Sequence, residues 1–208
     1  MPTNFDRQLR TRDNWRAKKA FDDVAEKYQL MWSQLEPWQL EEREEFTSLL
    51  DGTTVLDVGC GPGRDLKLFN SWGLNAIGID ISKRMLKLAP HGLLVKADMR
   101  SLPFADECIH GLWACQCVTH IPKSELNVVL NEFFRMLKPK GVVFISVNFG
   151  YGERYEEIGD LGVKSTRSFY TLPELKRTLQ RFTIIKSEEK RWGKRHYVIC
   201  FARKENVE

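Results

Sequence analysis

The sequence predicts an α/β fold, a mostly parallel sheet with helices on both faces. Two observations carry that prediction. From residue 53 onward, short apolar runs alternate with amphipathic stripes, the pattern of strand–helix–strand units. The first of those runs ends in a glycine cluster, Gly59, Gly61 and Gly63, where such folds turn into their first helix.

The elements follow in order. Residues 1–14 are polar and read as a mobile or surface-strapped tail. From Ala20 a helical period begins: Phe21, Val24, Ala25, Tyr28, Met31, Trp32 and Leu35 fall on one face. Pro37 opens a second helix that runs to about Leu50. Strands are expected at 53–58, 75–80, 93–97, 108–115 and 142–147, each short and mostly apolar. Between them, helices are expected at 64–72, after Ser82 as cap, and along Leu126, Val129, Leu130, Phe133, Met136 and Leu137. Residues 148–170 carry four glycines and no clear period, and read as an irregular insert near the site. Thr171-Leu172-Pro173-Glu174 is a capping box. Two last strands, 182–187 and 196–203, should pair antiparallel.

The 208 residues hold 42% hydrophobic and 29% charged side chains, a globular balance. That length builds one domain with a sizeable core. We expect a single domain over 1–208, with a helical cap over 1–50, a core over 51–208 and the insert at about 148–170. The 32 basic and 28 acidic residues leave a net charge of +4 with no basic cluster, which disfavours a dedicated nucleic-acid binder. The five cysteines lack paired spacing, so neither a disulfide scaffold nor a metal site is expected, and a reducing, cytoplasmic location is. The N-terminus lacks the apolar core of a signal peptide, and no run has membrane-spanning length.

The chemistry concentrates at Val55-Leu56-Asp57-Val58-Gly59-Cys60-Gly61-Pro62-Gly63. The glycines allow a tight turn and close approach to a ligand. The third glycine stands one place too early for a nicotinamide fingerprint, and a Gly-Lys-Ser/Thr phosphate loop is missing. Asp57 would repel a pyrophosphate but suits a ligand bearing an ammonium group. Asp80 closes the second strand, where a carboxylate accepts bonds from ribose hydroxyls. Asp98 closes the third, where it can accept from an adenine amino group. Strand carboxyl ends are where open α/β sheets bind ligands.

Together with AIGIDISKRML, KADMRSLPF and LNEFFRMLKPKGVVFISV, this segment resembles the class I S-adenosylmethionine-dependent methyltransferases, of the methyltransferase type 11 group. FYTLPELKRTL is similar to the last helix of many such enzymes, and the resemblance spans roughly residues 20–203. It implies a Rossmann-like fold with a mostly parallel seven-stranded sheet, one strand antiparallel, and helices on both faces. It implies S-adenosyl-L-methionine as cofactor. Asp57, Gly59 and Gly61 would line its methionine end, and Asp80 would hold its ribose with Ile81 against the adenine. Asp98 and the backbone of Met99 would meet the adenine, and Cys115 would lie along the methionine moiety. Tyr28 would close the site from the N-terminal helix, or serve only the core stripe.

Methyl transfer from a sulfonium needs alignment and exclusion of water more than covalent help. His120, just after the fourth strand, is the candidate catalytic base. Cys115 and Cys117 would face one side if the strand stays extended. Arg64 would either meet an acidic substrate group or cover the helix start. Trp72, Trp113 and Trp192 read as packing residues. The expected partner is a small-molecule methyl acceptor. The alternatives are a tRNA or protein methyltransferase and a catalytically silent cofactor-binding protein.

Overall fold

The computed structural model describes residues 4–32, 37–89, 92–193 and 195–205, with side chains from residue 17 onward except at 37–39 and 192. Leu35 and His91 lie outside the described residues, as does the side chain of Trp192.

The sheet core is built from β1 (Thr54–Val58), β2 (Asn75–Asp80), β3 (Leu93–Lys96), β4 (Ile109–Cys115) and β5 (Leu137–Phe149), flanked by β8 (Thr183–Trp192) and β9 (Arg195–Arg203). The first five lie in the order β3-β2-β1-β4-β5, all parallel, and β9 then pairs antiparallel with both β5 and β8. These seven strands, one of them antiparallel, make the arrangement that the sequence implies, and a further hairpin extends the sheet to nine strands.

Alternation along the strands sorts side chains to two faces. On one face, Leu56, Leu112, Ala114, Val143 and Ile145 pack with Val129 and Phe133 of α5 (Leu126–Met136) and Leu175 of α6 (Leu172–Thr178). On the other, Val55, Trp113, Val142 and Phe144 pack with Phe46 of α2 (Pro37–Ser48) and with Leu66 and Phe69 of α3 (Arg64–Ser71). Trp113 is fully buried and stacks on Phe144 at 3.9 Å, a packing residue as expected; Trp72 is partly exposed beside Phe69. The capping box forms at Thr171, and Ser82 caps α4 (Lys83–Leu88).

Two expectations need correction. The first helix, α1, begins at Asn4 rather than near residue 20, so residues 4–14 are helical. Its middle turns carry the pairs Lys18–Asp22 and Lys19–Asp23. The segment 148–170 is not irregular. It forms a hairpin of β6 (Glu153–Glu157) and β7 (Lys164–Tyr170). β4 pairs with β5 only as far as Ser146; beyond it Asn148 and Phe149 pair with Phe169 and Tyr170 of β7. The hairpin therefore rises from the carboxyl end of the sheet. Its turn meets α1 in a separate apolar cluster, where Ala20 and Val24 pack on Ile158 and Leu161.

Candidate functional site

The carboxyl ends of β1, β2 and β4 form the floor of a cleft, and α1 with the β6–β7 hairpin forms its roof. The floor begins at the glycine turn. Gly59 has a φ of +66°, and a Cβ there would come within 2.5 Å of the Cys117 Cβ. Gly61, at φ +54°, is held left-handed facing α1, a conformation costly to any residue with a Cβ. Asp57 is buried beneath this turn and does not reach the cavity wall; its Oδ2 has no hydrogen-bond partner. Burial, reinforced by the nearby Asp65 carboxylate, raises its pKa well above the carboxylate range. An unpaired buried carboxylate oxygen is costly, and the raised pKa lessens that cost by favouring the protonated form.

Asp80 stands at the cavity wall, where its carboxylate accepts from the Gly61 N–H at 3.0 Å and the Ser82 N–H at 2.7 Å. These bonds lower its pKa, but burial outweighs them and brings it up to about 6. Ile81 and Met99 line the same cavity. Asp98 lines it too, with its carboxylate clamped by the Arg100 side chain at 2.8 and 2.9 Å. Arg100 is fixed in turn by Glu125.

The roof is attached at both ends. On one side, Asp22 accepts from the Ser82 hydroxyl at 2.6 Å and the Arg84 N–H at 3.2 Å, and Gln29 donates to the Leu88 carbonyl. On the other, Lys27 donates to the Asp160 carbonyl, beside the apolar cluster with the hairpin. Ala17, Phe21 and Tyr28 of α1 thereby line the cavity, and Tyr28 stands opposite Gly61. Tyr28 thus belongs to the site as well as to the apolar face of α1. Burial pushes its hydroxyl up to about 12, so it remains a donor.

A second cavity adjoins the first. Tyr28, Cys115, Gln116 and His120 line both. Gln116 takes φ +57° as the chain leaves β4, and its side-chain amide donates to the Ser146 hydroxyl at 2.7 Å. That turn corrects the expectation of an extended strand through Cys117: Cys115 ends β4, whereas Cys117 precedes a 3₁₀ turn over Val118–His120. Burial raises both thiols, Cys115 to about 11, which keeps them protonated near neutral pH.

His120 reaches the junction, edge-on to Phe21 at 4.9 Å. Burial, helped by Arg167, lowers its pKa to about 3, so the ring is neutral over the physiological range. It bonds the Thr166 backbone, and its Nδ1 has no partner. The ring is built to accept a hydrogen bond more than to store a proton.

The second cavity also contains residues that sequence reasoning missed. Arg43 of α2 is buried and bonds Asp65 through Nε at 3.2 Å and Nη2 at 2.8 Å. Asp65 also takes Arg64 at 2.9 Å and the Trp113 indole N–H at 2.9 Å, and the two arginines hold its pKa far below the usual range. Arg64 therefore does both things expected of it: it covers the start of α3 and lines the cavity. Asn148, Arg167, Lys190, Arg195 and Tyr197 complete the wall, from segments that carry no motif. Among the described residues, no group of His, Cys, Asp and Glu could hold a metal ion, and no helix is long and apolar enough to cross a membrane.

Residues 56–145 match the family described as "Methyltransferase domain". The chain is 34% identical over 107 residues to the 2-methyl-6-phytyl-1,4-hydroquinone methyltransferase of Synechocystis sp., covering 48% of this chain and 33% of that one. It is 33% identical over 121 residues to the ubiquinone biosynthesis O-methyltransferase of Bordetella avium, covering 54% and 49%. The chain thus spans about half or less of the length of these curated relatives. Its fold matches the 1,6-didemethyltoxoflavin-N1-methyltransferase of Burkholderia thailandensis, solved with S-adenosylhomocysteine, with a TM-score of 0.71 at 21% identity over 91% of this chain and 87% of that one. Residues 56–145 therefore match a methyltransferase domain, within a fold shared with S-adenosylmethionine-dependent methyltransferases.

Proposed function

We propose that this chain is a class I methyltransferase that transfers a methyl group from S-adenosylmethionine to a small-molecule acceptor. The observation that carries the reading is the junction. Two covered cavities share Tyr28, Cys115, Gln116 and His120, so a donor in one and an acceptor in the other would meet at a single place.

The residues present fit the cofactor. Asp80, at the cavity wall, suits the ribose hydroxyls, whereas Asp57 lies buried off that wall. Ile81 and Met99 offer apolar contact to the adenine, and Asp98, shared with Arg100, offers an acceptor for the amino group. Gly59 and Gly61 leave room for the methionine end beside Cys115. Bound there, the cofactor supplies an electrophilic methyl group on a sulfonium. The chain's own part is alignment and exclusion of water. Phe21 and Tyr28 close the cavity from above. His120 Nδ1 accepts a hydrogen bond from the acceptor and orients its lone pair. With a pKa of about 3, His120 is a weak proton acceptor, so the acceptor must be nucleophilic by itself or deprotonate elsewhere.

We further propose that the whole chain works as one domain, with residues 1–50 as a cap on a core over 51–208. A tRNA or protein acceptor is the second reading, but a roof attached at both ends favours a small molecule. Incubation of the full chain with methyl-labelled S-adenosylmethionine and a size-fractionated cell extract tests the proposal. Label is expected in the small-molecule fraction. Label in RNA or protein alone would move the chain to the second reading, and label in no fraction would favour a silent cofactor-binding protein.

A further inference from the structure

We infer that the second cavity is an acid-group subsite, and that the methyl acceptor carries a carboxylate or phosphate held by Arg167 and Arg195. The inference rests on the second cavity being the acceptor site. Five cations line it: Arg43, Arg64, Arg167, Lys190 and Arg195. Their partners are unequally distributed. Arg43 and Arg64 share the single carboxylate of Asp65. Lys190 is met by Glu42 at 2.8 Å, with Glu41 and Glu188 at 3.7 Å. Arg167 and Arg195 have no ion pair among the described residues.

Arg195 lies over the Trp32 ring at 4.0 Å, which stiffens its guanidinium without neutralising it. Arg167 projects from β7, and its Nε is buried with no hydrogen-bond partner. Asn148, on the same wall, also has a buried Nδ2 without one. The orphaned His120 Nδ1 at the junction is an acceptor, but both orphaned atoms on the Arg167 wall are donors, so what is missing at that wall is an acceptor of hydrogen bonds that also carries negative charge. A planar guanidinium with a free edge matches a carboxylate or phosphate oxygen pair.

The charges that face Arg167 are mixed. Burial pulls its pKa below the ordinary value against Glu156 on the neighbouring strand and, more weakly, Tyr197 and Tyr28; repulsion from Arg195 is the smallest of these effects. Leaving such a group unpaired is costly to the fold unless a ligand uses it. Arg167 also lies close enough to His120 to lower its pKa, and close enough to Tyr28 to feel its charge. An acid group on Arg167 would therefore place the rest of the acceptor toward the junction.

Calorimetric titration of the full chain, saturated with S-adenosylhomocysteine, tests this with inorganic phosphate and benzoate as separate probes at low salt. At least one is expected to saturate a single site, and which one tells phosphate from carboxylate. Arg167→Gln should weaken that binding at least tenfold and leave the S-adenosylhomocysteine affinity within about twofold. Lys67→Gln, at an exposed charge outside the cavity lining, should change neither. Arg195→Gln, at an exposed position, carries the test should Arg167→Gln fail to fold. Absence of binding by both anions, or equal binding by wild type and the arginine variants, overturns the inference. The same titrations on ligand-free protein decide it even if S-adenosylhomocysteine fails to bind, which would count against the cofactor reading instead.

Discussion

The two cavities that meet at Tyr28 are built by opposite means. Much of the donor cavity comes from one stretch of chain: Gly59, Gly61, Asp80 and Asp98 sit at the ends of successive parallel strands. The acceptor cavity is gathered from α1, α2, the start of α3, β5, β7 and the β8–β9 hairpin. Asp65 joins the two. It follows the glycine turn in sequence, yet its carboxylate holds Arg43 and Arg64 in the acceptor wall. A binding site made by strand ends is fixed as soon as the sheet forms, whereas one made by distant side chains depends on every packing contact that brings them together.

The largest break in that comparison is Asp65→Asn. Removing one member of a buried charge cluster strands the others, and a loss of about 3–5 kcal/mol in stability is expected. Chemical denaturation measures it; a loss below about 1 kcal/mol would mean that Asp65 does not join the halves. The sign with pH follows from its lowered pKa. The stabilisation is present above the unfolded-state value and is lost as pH falls below it.

Next in size is removal of residues 1–35. The sheet should persist by circular dichroism, because Phe46 and the strands carry the core. Losing Phe21 and Tyr28 from the roof removes roughly 3 kcal/mol of apolar contact, about a hundredfold in cofactor affinity. Hydrogen exchange of α1 should slow when cofactor is added. If truncated protein binds normally, or the helix exchanges identically with and without cofactor, α1 is structural and the hairpin alone is the lid.

Asp80→Ala should follow at roughly tenfold to a hundredfold, because it leaves ribose hydroxyls without an acceptor at about 1–3 kcal/mol. Unchanged affinity would remove Asp80 from the site. The pH effect is smaller. Asp80 has a raised pKa of about 6, so folding favours its protonated form and its ionisation costs stability as pH rises through 6. Ribose hydroxyls donate to the ionised form, so cofactor binding is favoured in the opposite direction. Affinity measured by calorimetry should rise about tenfold between pH 5 and pH 7. A flat profile would show that the ribose does not bond this carboxylate.

The same contrast explains what the sequence made legible. All the strands of the seven-stranded sheet were visible as apolar runs, and the donor residues as glycines and aspartates at their ends. The hairpin was not. Its strand β7 buries Ser165 and Ser168, and Ser168 is satisfied by the Ile121 carbonyl at 2.7 Å, so the usual apolar alternation is replaced by hydrogen bonding. Its partner β6 is a charged edge strand, ERYEE, which lacks an apolar face. The bend at Gln116 was hidden as well, because a left-handed glutamine has no compositional signature. Arg167 and Arg195 belong to no motif in the sequence, and only tertiary packing brings them to one cavity.

The account stands most directly on the donor cavity. Calorimetric titration of the full chain with S-adenosylhomocysteine and with NAD, side by side at neutral pH, tests it. The account predicts single-site saturation by S-adenosylhomocysteine and no heat of binding with NAD. Saturation by NAD with none by S-adenosylhomocysteine would contradict it.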